Sequence, residues 1–199
     1  MSASMSHLSP APQPLPQRRF VVGVMGSGSK AHHHLSVPLG EWLGHAGVDV
    51  LTGGGMGVME AVSGAFARVK PRKGLVIGVI PGKTLLDGTV VNPSGYPNEW
   101  VELPIQTHLS GMGDSEAMTR NHINILTSGV VVALPGGEGT AHEVRLARKY
   151  RKPVVAYMGS DGEIVGLRLD EEGVPVARTL EEVQRAVSLE MLRANSAQL

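Results

Sequence analysis

Three times in this chain a short run of β-branched residues ends in a cluster of glycines, and a helix-forming stretch follows. The segments are Val21–Lys30 (VVGVMGSGSK), Val50–Glu60 (VLTGGGMGVME) and Val131–Glu143 (VVALPGGEGTAHE). Apolar runs without polar alternation suit strands covered on both faces, as in a parallel sheet. A strand, a glycine turn and a helix in succession form half of a βαβ unit, and such units wind with one hand. In doubly wound sheets ligands bind beyond the carboxyl ends of the strands, which is where these turns must gather. The repeat therefore constrains both the fold and the location of a site.

The rest of the chain fits that frame. Strands are expected at 20–25, 48–52, 75–80, 100–103, 130–134 and 153–158. Helices are expected near 35–46, 57–69, 115–128, 140–150 and 180–195. The segment 160–178 has two apolar runs, IVGLRL and VPVA, that could form a terminal hairpin. Residues 1–17 are rich in Pro, Ser and Gln without a charged side chain and read as a disordered extension before a single Rossmann-like nucleotide-binding domain over 18–199. With 42% hydrophobic residues the chain can bury a core of that size.

Composition narrows the chemistry. Eighteen basic and eighteen acidic side chains cancel, which argues against nucleic-acid or membrane binding through bulk charge. No cysteine is present, so thiolate zinc sites, iron–sulfur clusters and thiol nucleophiles are excluded. Neither a signal peptide nor an apolar stretch of membrane-spanning length is visible, and a cytoplasmic protein is expected. His32-His33-His34 reads as the solvated start of the first helix, since adjacent helical residues do not face one point; no metal site is expected.

The most specific motif is Pro135-Gly136-Gly137-Glu138-Gly139-Thr140-Ala141-His142-Glu143. Gly136, Gly137 and Gly139 would let backbone approach an anion, and the helix that follows would offer unpaired N–H groups. Thr140 can cap that helix or bind the anion; a plain capped turn is the alternative. Gly53, Gly54 and Gly55 repeat the pattern, with Met56 and Met59 expected to fill core and Glu60 in the first helical turn. Gly26 and Ser27 open the third such loop, where Ala31 stands at the third glycine position of a dinucleotide fingerprint and Asp49 fits its acidic position poorly. Gly82-Lys83-Thr84 resembles a P-loop only superficially, because Ile77 occupies the leading glycine position; Lys83 could still approach a ligand. Arg120 and Asn124 lie four apart on one helix face, and Glu143 is a plausible neighbour for the arginine, as a site or as a structural ion pair.

These residues resemble the Lonely Guy (LOG) family of nucleoside 5′-monophosphate phosphoribohydrolases, through Pro135–Glu143, Gly53–Glu60, Ile77–Gly82 and an arginine fifteen residues before the signature proline. The resemblance implies Arg120 and Glu143 as the catalytic pair and a homodimer or higher homo-oligomer. It also implies hydrolysis of the N-glycosidic bond of a purine or cytokinin ribotide to base and ribose 5-phosphate, with no cofactor required. The family usually has lysine after the arginine and glutamate before the glutamate; here these are Asn121 and His142. Arg120-Asn121-His122-Ile123-Asn124 and the GTAHE helix are also similar to molybdenum-cofactor carrier proteins. They share the fold and imply a non-catalytic chain that binds a phosphorylated pterin. The intact glycine signature favours the enzyme of the two.

Overall fold

The computed structural model describes residues 18–110 and 118–196. The extension read over 1–17 and the first residues of the helix read from 115 lie outside the described residues. In chain order the elements are β1 (Val21–Met25), α1 (His33–Ala46), β2 (Asp49–Thr52), α2 (Val58–Arg68), β3 (Val76–Ile80), β4 (Lys83–Thr84), β5 (Val90–Val91) and β6 (Leu103–Gln106). There follow α3 (Arg120–Thr127), β7 (Val130–Ala133), α4 (Glu138–Lys149), β8 (Val154–Tyr157), β9 (Val176–Ala177) and α5 (Leu180–Ser196).

Seven strands form one parallel sheet in the order β6-β3-β2-β1-β7-β8-β9. The chain moves outward from β1 to β6, then returns to lay β7 against the other side of β1. The order therefore reverses between β1 and β7, the place where doubly wound sheets open a crevice. Alternate strand residues serve opposite faces. Val22, Val24, Val130 and Val132 pack with Leu39, Leu43, Val62 and Phe66 of α1 and α2 and with Val183 and Val187 of α5. Met25, Val131 and Ala133 pack on the other face with Ile125 of α3 and Ala141, Val144 and Ala147 of α4. The result is a three-layer α/β/α domain, as the continuous apolar runs required.

Two expectations shift. The strand read at 100–103 forms instead at Leu103–Gln106, as the exposed sheet edge beside β3. Pro104 is tolerated there because one flank needs no N–H donor. No hairpin closes over 160–178: β9 pairs parallel to β8, and Ile164 makes an isolated parallel bridge to Gly136. A small antiparallel pair, β4 with β5, was not expected; it holds Lys83 on an exposed strand. Asp49 has a structural role, accepting from Arg19 Nε at 2.5 Å and from the Leu75 N–H at 2.8 Å. The three histidines do mark the start of α1, with His33 and His34 exposed. No group of three metal-ligating side chains occurs among the described residues, and no described helix is long and apolar enough to cross a membrane.

Candidate functional site

The glycine loops after β1, β2 and β7 are laced together through Ser27. Its N–H donates to the Pro135 carbonyl at 3.1 Å, and its carbonyl accepts from the Val58 N–H at 2.9 Å. Its hydroxyl accepts from the N–H of Lys30 at 3.0 Å and so shapes its own turn. Gly57 sits at φ +68°, and a Cβ there would lie 2.3 Å from the Ser27 carbonyl oxygen, so only glycine permits this contact. The helices that follow the three loops, α1, α2 and α4, all start without a side-chain cap. In α2 the first N–H is met by the Ser27 carbonyl, whereas at the start of α4 the N–H groups and the positive dipole end have no side-chain acceptor.

Between the loops after β1 and β7 opens a cavity of about 380 Å³. Gly26, Ser27, Gly137, Gly139 and Thr140 line its loop side, and Arg120, Asn121 and Glu143 line its opposite wall; Val24, Met25, Gly28, Ser29, Met59 and Tyr96 complete it. At Gly137 and Gly139 a Cβ would meet nothing within 4 Å, so no protein atom fills the space that those glycines leave.

The wall is built by α3 against α4. Thr119 and His122 form a capping box that fixes the start of α3 and brings Arg120 inward. Arg120 is 6% exposed, and its Nη1 donates to the carbonyls of Gly53 at 2.5 Å and Val79 at 2.8 Å. Its guanidinium carbon lies 5.4 Å from the centre of the Tyr96 ring. Glu143 is 8% exposed, and Asn124 Nδ2 donates to its Oε1 at 3.4 Å. Arg120 makes no ion pair with Glu143, and its Nη1 is engaged by backbone, but its charge still acts on the carboxyl through space. Burial outweighs both Arg120 and the Asn124 hydrogen bond, and the Glu143 carboxyl is pushed up to about 7.

Of the five buried side-chain polar atoms without a partner among the described residues, four cluster here: Arg120 Nε, Asn121 Oδ1, Asn124 Oδ1 and His142 Nε2. Native proteins rarely leave such atoms unpaired, and a cluster of them signals a region completed by something else. His142 and Asn121 replace the charged pair of the LOG pattern with a neutral contact, Asn121 Nδ2 to His142 Nδ1 at 3.4 Å. Burial holds the His142 imidazole below its usual pKa, helped by His122 and Arg145.

The residues expected from sequence divide into two groups. Gly26, Ser27, Gly137, Gly139, Thr140, Arg120 and Glu143 meet at the cavity. Gly53, Gly54 and Gly55 do not line it; they are buried behind it, where a Cβ would strike Arg120, Ile80 and Tyr96 respectively. Asn124 lies beneath Glu143, and Gly136 faces a neighbouring cavity of about 400 Å³ that shares Ser27, Ser29 and Gly137. Met59 is buried and lines the cavity, while Met56 is 45% exposed and fills no core. Tyr96 went unread because it arrives on a loop with no periodic pattern; an aromatic in a chain with only 4% of them was the one available signal.

A Rossmann-like α/β fold with a cleft lined by glycine loops at the switch point is the class defined by these features. The chain belongs to the SLOG cluster4 family, whose model matches residues 19–187. It is 30% identical over 137 residues to an uncharacterized protein of Archaeoglobus fulgidus, spanning 68% of this chain and 78% of that one. Among solved structures it is similar to the molybdenum cofactor binding protein of Rippkaea orientalis, with 27% identity, a TM-score of 0.69, and coverage of 88% of this chain and 99% of the other. It is likewise similar to the molybdenum cofactor carrier protein of Chlamydomonas reinhardtii, with 31% identity, a TM-score of 0.65 and the same coverages.

Proposed function

We propose that this chain binds a phosphorylated heterocycle with its phosphate on Gly137, Gly139, Thr140 and Ser27, and that its ligand is the phosphorylated pterin of the molybdenum cofactor, held without cleavage. The observation that carries this reading is the engagement of Arg120. In the hydrolase reading the arginine positions substrate, whereas here it is tied to the Gly53 and Val79 carbonyls and braces the loop after β2. Likeness to two molybdenum-cofactor proteins over 99% of their length supports the same choice. The neutral Asn121–His142 contact supports it too, since it stands where the LOG pattern has charge. The phosphate is recognised by backbone N–H groups at the start of α4, which suits a molecule with no net charge to attract its ligand.

The hydrolase reading placed first from sequence keeps one specific support: Glu143. A buried carboxyl with a pKa of about 7 is poised to exchange a proton at neutral pH or, once ionised, to stabilise positive charge at an anomeric carbon. In that reading AMP or a cytokinin ribotide is the substrate, Glu143 and Arg120 are the catalytic pair, and no cofactor is needed. A homodimer remains part of the proposal under either reading.

Incubation with AMP and, anaerobically, with molybdopterin separates the two. Retention of the pterin through gel filtration, with no base released from AMP, is the expected result. Release of adenine and ribose 5-phosphate establishes the hydrolase instead, and failure to bind either compound overturns both.

A further inference from the structure

The opposite end of the sheet holds a second cavity of about 690 Å³, larger than the glycine-loop cleft. It opens at the starts of β7 and β8, between the end of α4 and the flank of α5. Its floor is apolar, with the buried Val130 and Val154, and the exposed Pro175 and Leu189 stand beside them. Its rim carries Arg148, Arg151, Lys152 and Arg193 against a single carboxylate, Glu190, an excess of three positive charges by subtraction.

The four cations are not equally engaged. Arg193 Nη1 donates to Glu190 at 2.6 Å, and Lys152 Nζ donates to the carbonyls of Leu126 at 2.7 Å and Ser128 at 2.9 Å. The guanidinium groups of Arg148 and Arg151 have no hydrogen-bond or ion-pair partner among the described residues. Basic residues in a last helical turn commonly offset the helix dipole, which accounts for Arg148 and Lys149. It accounts equally for Arg193, which stands in the last turn of α5, and leaves Arg151 and Lys152, which lie beyond the end of α4.

Arg151 adds a second observation. The N–H of Arg151 donates to Arg148 O, and that of Lys152 donates to Ala147 O, so α4 ends in a Schellman motif. Arg151 occupies the left-handed position of that motif at φ +52°, where glycine is the favoured residue. Arg151 therefore carries backbone strain while its head group lies unpartnered among the described residues at the rim of the cleft.

We infer that this cleft is a second ligand site, which takes a phosphate monoester on an apolar or aromatic body, with the dianion on Arg148 and Arg151 and the body on the floor. Three excess charges suit a dianion better than a monocarboxylate, and two free guanidinium groups offer paired donors of the kind phosphate accepts. The inference stands independently of the glycine-loop cleft.

The test is an amide chemical-shift titration of the full chain with 1-naphthyl phosphate, with 1-naphthoate as the contrast, on wild type, Arg148→Ala and Arg151→Gly. Saturable shifts are expected for amides near 148–155, 173–175 and 186–193. Each substitution should weaken that binding at least tenfold, and naphthoate should bind at least tenfold more weakly than the phosphate. Arg151→Gly is the decisive variant, because glycine in the left-handed position should keep or raise the melting temperature while binding is lost. Shifts confined to the glycine loops, or binding unchanged in both variants, overturn the inference and leave the proposed function untouched. Equal affinity for naphthoate overturns the assignment to a dianion.

Discussion

At the scale of single residues, Glu143 decides the most. Its pKa is raised from the ordinary 4.5 to about 7 in the folded chain, so between those values the native state binds more protons than the unfolded one. Stability linked to this group is therefore full below about pH 4.5, falls as pH rises, and levels off above about 7. The effect is on the order of 3 kcal/mol. His142 and His32, both held below their usual pKa, work in the opposite direction near neutrality, so the comparison must be against a variant. Glu143→Gln keeps the shape without the charge; urea titrations should show it more stable than wild type at pH 8 and equal to it at pH 4.5. A variant no more stable at pH 8 would mean that the carboxyl is not desolvated.

The glycines also separate at this scale. Gly139 lies in the first turn of α4, where a Cβ would enter open space. Alanine favours a helix over glycine by about 1 kcal/mol, so Gly139→Ala should raise stability by up to about that amount. Its Cβ would also intrude where the phosphate is proposed to lie, and affinity for the phosphorylated ligand should drop at least tenfold. Calorimetry with a thermal melt on one sample reads both.

Elements show where glycine serves the fold instead. α1 crosses α2 at Gly40, where a Cβ would sit 2.5 Å from the Val62 carbonyl oxygen, and at Gly44, where it would press on Val69. Gly40→Ala must push two backbones apart, and it should destabilise by about 1–3 kcal/mol while ligand affinity, corrected for unfolded protein, stays unchanged. Chemical denaturation and a binding isotherm check the two halves of that statement. Loss of affinity in the folded fraction would show that α1 positions the site, contrary to the division drawn here.

Legibility from sequence followed burial. β1, β2, β3, β7 and β8 were readable because strands covered on both faces must be apolar throughout, and all five are buried along their length or nearly so. β6 and β9 sit at the sheet edges, where one flank faces solvent and the pattern no longer dictates a register, so their placement escaped the reading. The same logic holds in the site. Arg120, Glu143 and the α4 loop were visible as motif. The retreat of Gly53–Gly55 behind Arg120 and Tyr96 was not, because it depends on side chains that reach across from α3 and from an irregular loop.

At the scale of the whole molecule, the zero net charge fits the proposed capture of an anion by backbone groups. The sheet order reverses between β1 and β7, the helices after the three glycine loops start without a side-chain cap, and Ser27 ties those loops together. An anion captured by backbone N–H groups needs no basic surface. The central claim is that recognition runs through the ligand's phosphate, and the most direct measurement titrates the chain with the fluorescent oxidised form of molybdopterin, with its phosphate and after its removal by phosphatase. Binding to the phosphorylated pterin, weakened at least a hundredfold by dephosphorylation and at least tenfold by Gly139→Ala, is the result expected. Equal affinity for both pterins, or for both proteins, would contradict the account.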